Sequence, residues 1–306
     1  MGSAGAQRWV TPVLVGGHES AYGADLAPLV GRLPGAVVTT AGRSLAEAVS
    51  ASVDIAIPAV VLPVTWGRDP VLVAETAKVL RWIGAETDGS AIALAAPFGT
   101  PDHLVAWLRR AAAETARNHA AAGVVVAAPA ANPFDDAELH RLAHLVRAHG
   151  AGVHVEVACV ETDADVAEAV RRSSVLGCEH VTVVPAGFAR REPTGAAWAG
   201  ASSYGPLLTD DALLGVIDQR IGAADRALEH GDDGIAAGLR ADRGYGHGHF
   251  PGREGDDGAA EQADRPLPRE PAPAGSTAPR PCCAPTEATA RTERAPTPGE
   301  DSRWIR

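Results

Sequence analysis

The residues best placed to do chemistry stand near the start of the chain, in Val13-Leu14-Val15-Gly16-Gly17-His18-Glu19-Ser20. An apolar run stops at glycine and hands over at once to a histidine, which puts His18 at the carboxyl end of a strand. In open α/β sheets that rim is where ligands bind. The same position also suits a histidine that caps the next segment, with Glu19 and Ser20 as ordinary helix-start residues. His140 and His144 have the i, i+4 spacing that puts two imidazoles on one helix face, as metal pairs require. A solvated helix face, continuing to His149, explains them more simply. Cys159 and Cys178 read as buried structural thiols. No G-x-G-x-x-G follows a strand and no G-x-S-x-G elbow is present, which sets aside dinucleotide binding and an α/β-hydrolase nucleophile.

The elements that must position these groups alternate in type. Apolar runs at 12–16, 36–40, 55–64, 91–96, 123–128, 153–159 and 180–185 are nearly continuous, as parallel strands covered on both faces require. Amphipathic segments lie between and after them, at 22–33, 44–52, 70–83, 102–119, 135–149, 163–176 and 209–228. The alternation predicts βαβ units and a parallel sheet. Asp69-Pro70 reads as an N-cap with proline at the first helical position.

The pattern also recurs. Val13-Leu-Val-Gly-Gly returns as Val124-Val-Val-Ala-Ala, Ser44-Leu-Ala-Glu-Ala-Val as Asp165-Val-Ala-Glu-Ala-Val, and Val60-Val-Leu-Pro63 as Thr182-Val-Val-Pro185. The shared order and similar spacing predict two α/β domains, 11–119 and 122–228. From 229 to 306 Gly, Pro, Asp, Arg and Thr accumulate without periodicity, so this tail is expected to be disordered.

Composition narrows the function. A net charge of −11 argues against a nucleic-acid binder, which normally shows a basic face. No apolar run approaches the roughly 20 residues that span a bilayer, and no signal-peptide pattern opens the chain. A cytoplasmic protein is the expectation. Four cysteines in 306 residues make no disulfide framework.

Gly17-His18-Glu19-Ser20, Ser44-Leu45-Ala46-Glu47-Ala48 and Val60-Val61-Leu62-Pro63 together resemble the sirohydrochlorin chelatase family, the class II chelatases. In the second copy the matching pieces are Val181 to Pro185 and Tyr204-Gly205-Pro206-Leu207-Leu208. The resemblance implies two tandem flavodoxin-like, parallel-sheet domains over 11–228. It implies insertion of a divalent metal, cobalt or iron, into sirohydrochlorin or a related tetrapyrrole in sirohaem or cobalamin biosynthesis. The metal is then a substrate, no organic cofactor is needed, and homo-oligomerisation is left open. His18 matches the first family histidine and would be metal ligand, proton acceptor, or both. Trp66 and Arg68 would stack on and pair with the carboxylated macrocycle.

The departures from the family pattern are specific. Glu19 stands where the family has glycine, Ala21 where it has arginine, and Thr39 at or near its acidic position. The loop Val64-Thr65-Trp66-Gly67-Arg68-Asp69-Pro70 lacks the second histidine. Glu19 as a catalytic carboxylate and Asp69 as a metal ligand are the expected substitutes. His247, His249 and Cys282-Cys283 would lend metal from the tail, or are low-complexity sequence. Two further readings stay open: a metal- or tetrapyrrole-binding relative without turnover, and a likeness of architecture alone.

Overall fold

The computed structural model describes residues 9–86, 92–149, 152–190 and 200–243. His247, His249, Cys282 and Cys283 therefore lie outside the described residues. In the first half, β1 (Thr11–Gly16) lies between β2 (Val37–Thr39) and β3 (Ala59–Val64), and β4 (Ile92–Leu94) follows β3. The second half repeats this with β5 (Ala122–Pro129) between β6 (His154–Val160) and β7 (His180–Pro185), and β8 (Ala201–Ser203) outside β7. Every pairing is parallel. The protein is α/β, with two parallel sheets of the same strand order.

The repeat can be read from the register. Val15 faces Pro63 in the first sheet, and Ala127 faces Pro185 in the second. Three residues beyond these partners stand His18 in one copy and Ala130 in the other. The match of Val13-Leu-Val to Val124-Val-Val is thus one residue out of step with the fold.

Helices α1 (Arg43–Asp54), α2 (Pro70–Glu86), α4 (Pro133–His149) and α5 (Asp163–Val175) connect strands within their own halves. The last helix of each half does something else. α3 (Pro101–Asn118) packs on β5 and β7 of the second sheet, while α6 (Asp210–Glu229) packs on β3 and β4 of the first. Leu104 and Leu108 of α3 and Ile217 and Ile221 of α6 join Leu62, Val124 and Val126 in one aliphatic core. Burying each such side chain is worth about 1.5–3 kcal/mol, so the exchange binds the halves to each other. The expected domain limits near 119–122 are a boundary in sequence but not in packing.

Three segments differ from expectation. Residues 22–33 form no α-helix: there are two short 3-10 segments instead, His18–Gly23, which ends on a glycine, and Ala27–Arg32, which contains Pro28 and Gly31. β8 is a strand of Ala-Ser-Ser, with no apolar run to announce it. Structure expected to end at 228 continues through residues 229–243 and includes α7 (Ile235–Gly238), whose Ile235 and its neighbour Leu239 pack against the first half's outer core. No helix among the described residues is long and apolar enough to cross a membrane.

Candidate functional site

In a sheet of this order the chain leaves β1 to one side and returns on the other, opening a crevice beyond the ends of β1 and β3. His18 follows β1 and the loop Thr65–Asp69 follows β3, so both stand at that switch point. The second sheet has its own switch point beyond β5 and β7, and the two abut. Phe188 N donates to Glu19 O across the junction (2.9 Å), and Trp66 stacks on Phe188 with ring centroids 5.5 Å apart. Phe98 meets both rings edge-on.

At the junction the His18 imidazole is 8% exposed. Its Nδ1 lies 3.1 Å from Asp69 Oδ2 and 3.7 Å from Asp135 Oδ2, while its Nε2 is buried without a hydrogen-bond partner. Burial is the largest influence on its pKa and pulls it down. Asp69, Glu19 and Asp135 together outweigh it and hold the imidazole above its ordinary value. Gly17 makes the approach possible, since a Cβ there would sit 2.4 Å from Asp69 Oδ2. Next along the chain, Ala21 and Tyr22 adopt left-handed backbone (φ 48° and 54°), at about 1–2 kcal/mol each.

Asp69 is the expected N-cap of α2: its Oδ1 accepts from Leu72 N at 2.9 Å. Its other oxygen lies against His18 and orients the imidazole, so both oxygens of the expected metal ligand have partners here. Glu19, the expected catalytic carboxylate, follows His18 in the chain. It is fully buried, accepting from Thr65 Oγ1 and from Trp66 N (3.1 Å), which ties the β1 loop to the β3 loop. Burial pushes its carboxyl up, opposed by the charge of Arg68.

Trp66 and Arg68 were expected to face a macrocycle; both are withdrawn into the protein. Trp66 is 2% exposed inside the aromatic cluster, which leaves no ring face for stacking. Arg68 is fully buried and donates to Ala186 O (3.4 Å) and Asp135 O (3.5 Å), so it bridges the halves. A buried polar group needs internal partners, and these loops supply them.

Sequence reasoning missed Asp135 and Asn132. Asn132 caps α4, accepting from Asp135 N (3.1 Å), and its amide donates back to Asp135 Oδ2 (2.7 Å). The reciprocal bonds hold Asp135, 3% exposed, against His18. Burial raises its carboxyl to about 6, reinforced by Asp69 and opposed by His18 and Arg68. Asn-Pro-Phe-Asp is a helix-start pattern; only the packing of one half on the other gives it a second use.

Elsewhere the expectations meet simpler outcomes. His140, His144 and His149 are exposed on α4, the solvated face. Cys159 and Cys178 are half-buried free thiols, raised by burial. Among the described residues, no group of three or more His, Cys, Asp and Glu is arranged to hold a metal ion.

No family model matches the chain, and no curated protein matches it. Among solved structures it is similar to an ABC transporter system solute-binding protein from Conexibacter woesei DSM 14684, at 14% identity and a TM-score of 0.36. The likeness covers 57% of this chain and 63% of that one, so the chain spans less than two thirds of that protein's length.

Proposed function

We propose that the chain is a divergent tandem relative of the class II chelatases, inserting cobalt or iron into sirohydrochlorin or a related tetrapyrrole. The observation that carries this reading is His18: one ring nitrogen is set by carboxylates and the other is buried and unmatched. A carboxylate behind an imidazole fixes its tautomer and raises its basicity, the arrangement used behind metal-binding histidines. Insertion expels two pyrrole protons as the metal arrives. His18 Nε2 takes one of them, or meets the metal, while Asp69 holds Nδ1–H. Asp135, titrating near 6, is the second proton acceptor within reach of the imidazole. Glu19, Thr65 and Arg68 keep the loops in place, and the metal is substrate, not a resident ion.

One observation favours a binding relative without turnover: Trp66 and Arg68, the residues that would hold a macrocycle, are committed to the junction. Mixing purified protein with sirohydrochlorin and Co²⁺ or Fe²⁺, followed by absorbance, separates the two. Insertion above the uncatalysed rate, largely lost in His18→Ala, supports the chelatase. Bound tetrapyrrole with insertion at background supports the binder. Neither binding nor insertion removes both.

A further inference from the structure

Because the halves repeat one architecture, each position in one sheet has a counterpart in the other. Val61 and Val183 stand two residues before Pro63 and Pro185, and their carbonyls accept from Ala95 N (2.8 Å) and Tyr204 N (2.9 Å). Val60 pairs with Ala93, as Thr182 pairs with Ser202. Thr182, Ser202 and Tyr204 thus occupy the places of Val60, Ala93 and Ala95. In the first half all three are buried in the aliphatic core. In the second half all three carry hydroxyls.

A polar side chain on the covered face of a sheet needs partners. Thr182 and Ser202 share a hydrogen bond (3.2 Å), and Tyr204 Oη donates to Glu114 Oε2 of α3 (3.0 Å). α3 does not close over these groups: a cavity of about 640 Å³ lies between it and β8, within the size range of small-molecule sites. The corresponding space in the first half, beside Leu94 and Ala95, is about 390 Å³ and lined largely by alanine.

Two opposite charges line the larger cavity, Arg110 and Glu114, one turn apart on α3. Neighbours at this spacing can pair with each other. Here each is engaged otherwise. The Arg110 guanidinium lies over the Trp107 ring, 5.3 Å from its centroid, and Glu114 takes the Tyr204 hydroxyl. A guanidinium is a fork for a carboxylate, and a carboxylate with one oxygen engaged keeps the other for an ammonium. At this spacing the Cβ atoms are about 5–6 Å apart, close to the roughly 7 Å of an extended dipeptide. The Thr182 and Ser202 hydroxyls are the partners available to its peptide group.

We propose that this cavity binds a short zwitterion, a dipeptide with both ends free, its carboxylate on Arg110 and its ammonium on Glu114. Calorimetric titration of the full chain with L-Ala-L-Ala at low ionic strength tests this, beside the same dipeptide amidated at its carboxyl end or acetylated at its amino end. Wild type is expected to bind Ala-Ala roughly tenfold more tightly than either capped form, since each cap removes a charge-assisted hydrogen bond. Arg110→Gln should lose only the preference over the amide, and Glu114→Gln only the preference over the acetylated peptide. Misfolding cannot produce that split, because it would abolish all binding together. No heat of binding with Ala-Ala overturns the proposal. So does binding indifferent to both caps, or a variant that loses both preferences at once.

Discussion

Replacing Arg68 with methionine tests whether the junction is held by buried charge. The guanidinium is fully buried, bonded to the carbonyls of Ala186 and Asp135, and its charge opposes the burial cost at Glu19 and Asp135. Methionine fills most of the volume but leaves two buried carboxyls without their cation. Removing one partner of such a cluster costs about 3–5 kcal/mol, a large share of a typical total of about 5–15 kcal/mol. At about 2–4 °C per kcal/mol for a chain of this size, the melting midpoint falls by roughly 6–20 °C. Urea unfolding followed by circular dichroism gives the free energy. The double variant Arg68→Met/Glu19→Gln should recover much of the loss, because a neutral amide needs no counter-charge. A loss below about 1 kcal/mol, the scale of an exposed ion pair, would refute the reasoning. So would a normally stable variant whose only defect is weaker tetrapyrrole binding, since that is how a substrate clamp behaves.

Three other outcomes follow from the same geometry. Trp66→Ala should cost about 3–5 kcal/mol in urea unfolding, as expected of an aromatic buried between two others; a cost under about 1 kcal/mol contradicts its burial. Asp135 binds its proton more tightly in the folded chain, about 6 against the ordinary 3.8. That contribution is complete below 3.8 and is lost as pH rises through 6, so wild-type stability relative to Asp135→Asn should fall across this window. Parallel pH profiles would contradict it. Gly17→Ala pushes a Cβ into Asp69, so the His18 pKa, followed by NMR, should drop from its raised position; an unchanged titration removes Asp69 from the argument.

Much of the fold is legible because a strand covered on both faces must be apolar along its whole length. All six residues of β3 are buried, and its Val-Val-Leu-Pro stretch is among the clearest in the chain. β8 escapes for the opposite reason, since an edge strand of Ala-Ser-Ser needs no apolar run. Pro28 ends any long helix over 22–33, although the spacing of leucines there suggests one. At the site, His18 could be found because strand, glycine and polar residue follow one another directly. Asp135 could not, because its aim at His18 depends on how two switch points meet. Trp66 and Arg68 have the side chains of a ligand site, but nothing in their spacing tells a ring facing substrate from one locked between two phenylalanines.

The most direct test of the account follows the two ring nitrogens of His18 by ¹⁵N NMR as Zn²⁺ and then sirohydrochlorin are added. The account predicts that Nε2 shifts on addition while Nδ1 stays protonated against Asp69. Unmoved His18 nitrogens, with responses confined to exposed histidines such as His140 and His144, would contradict it.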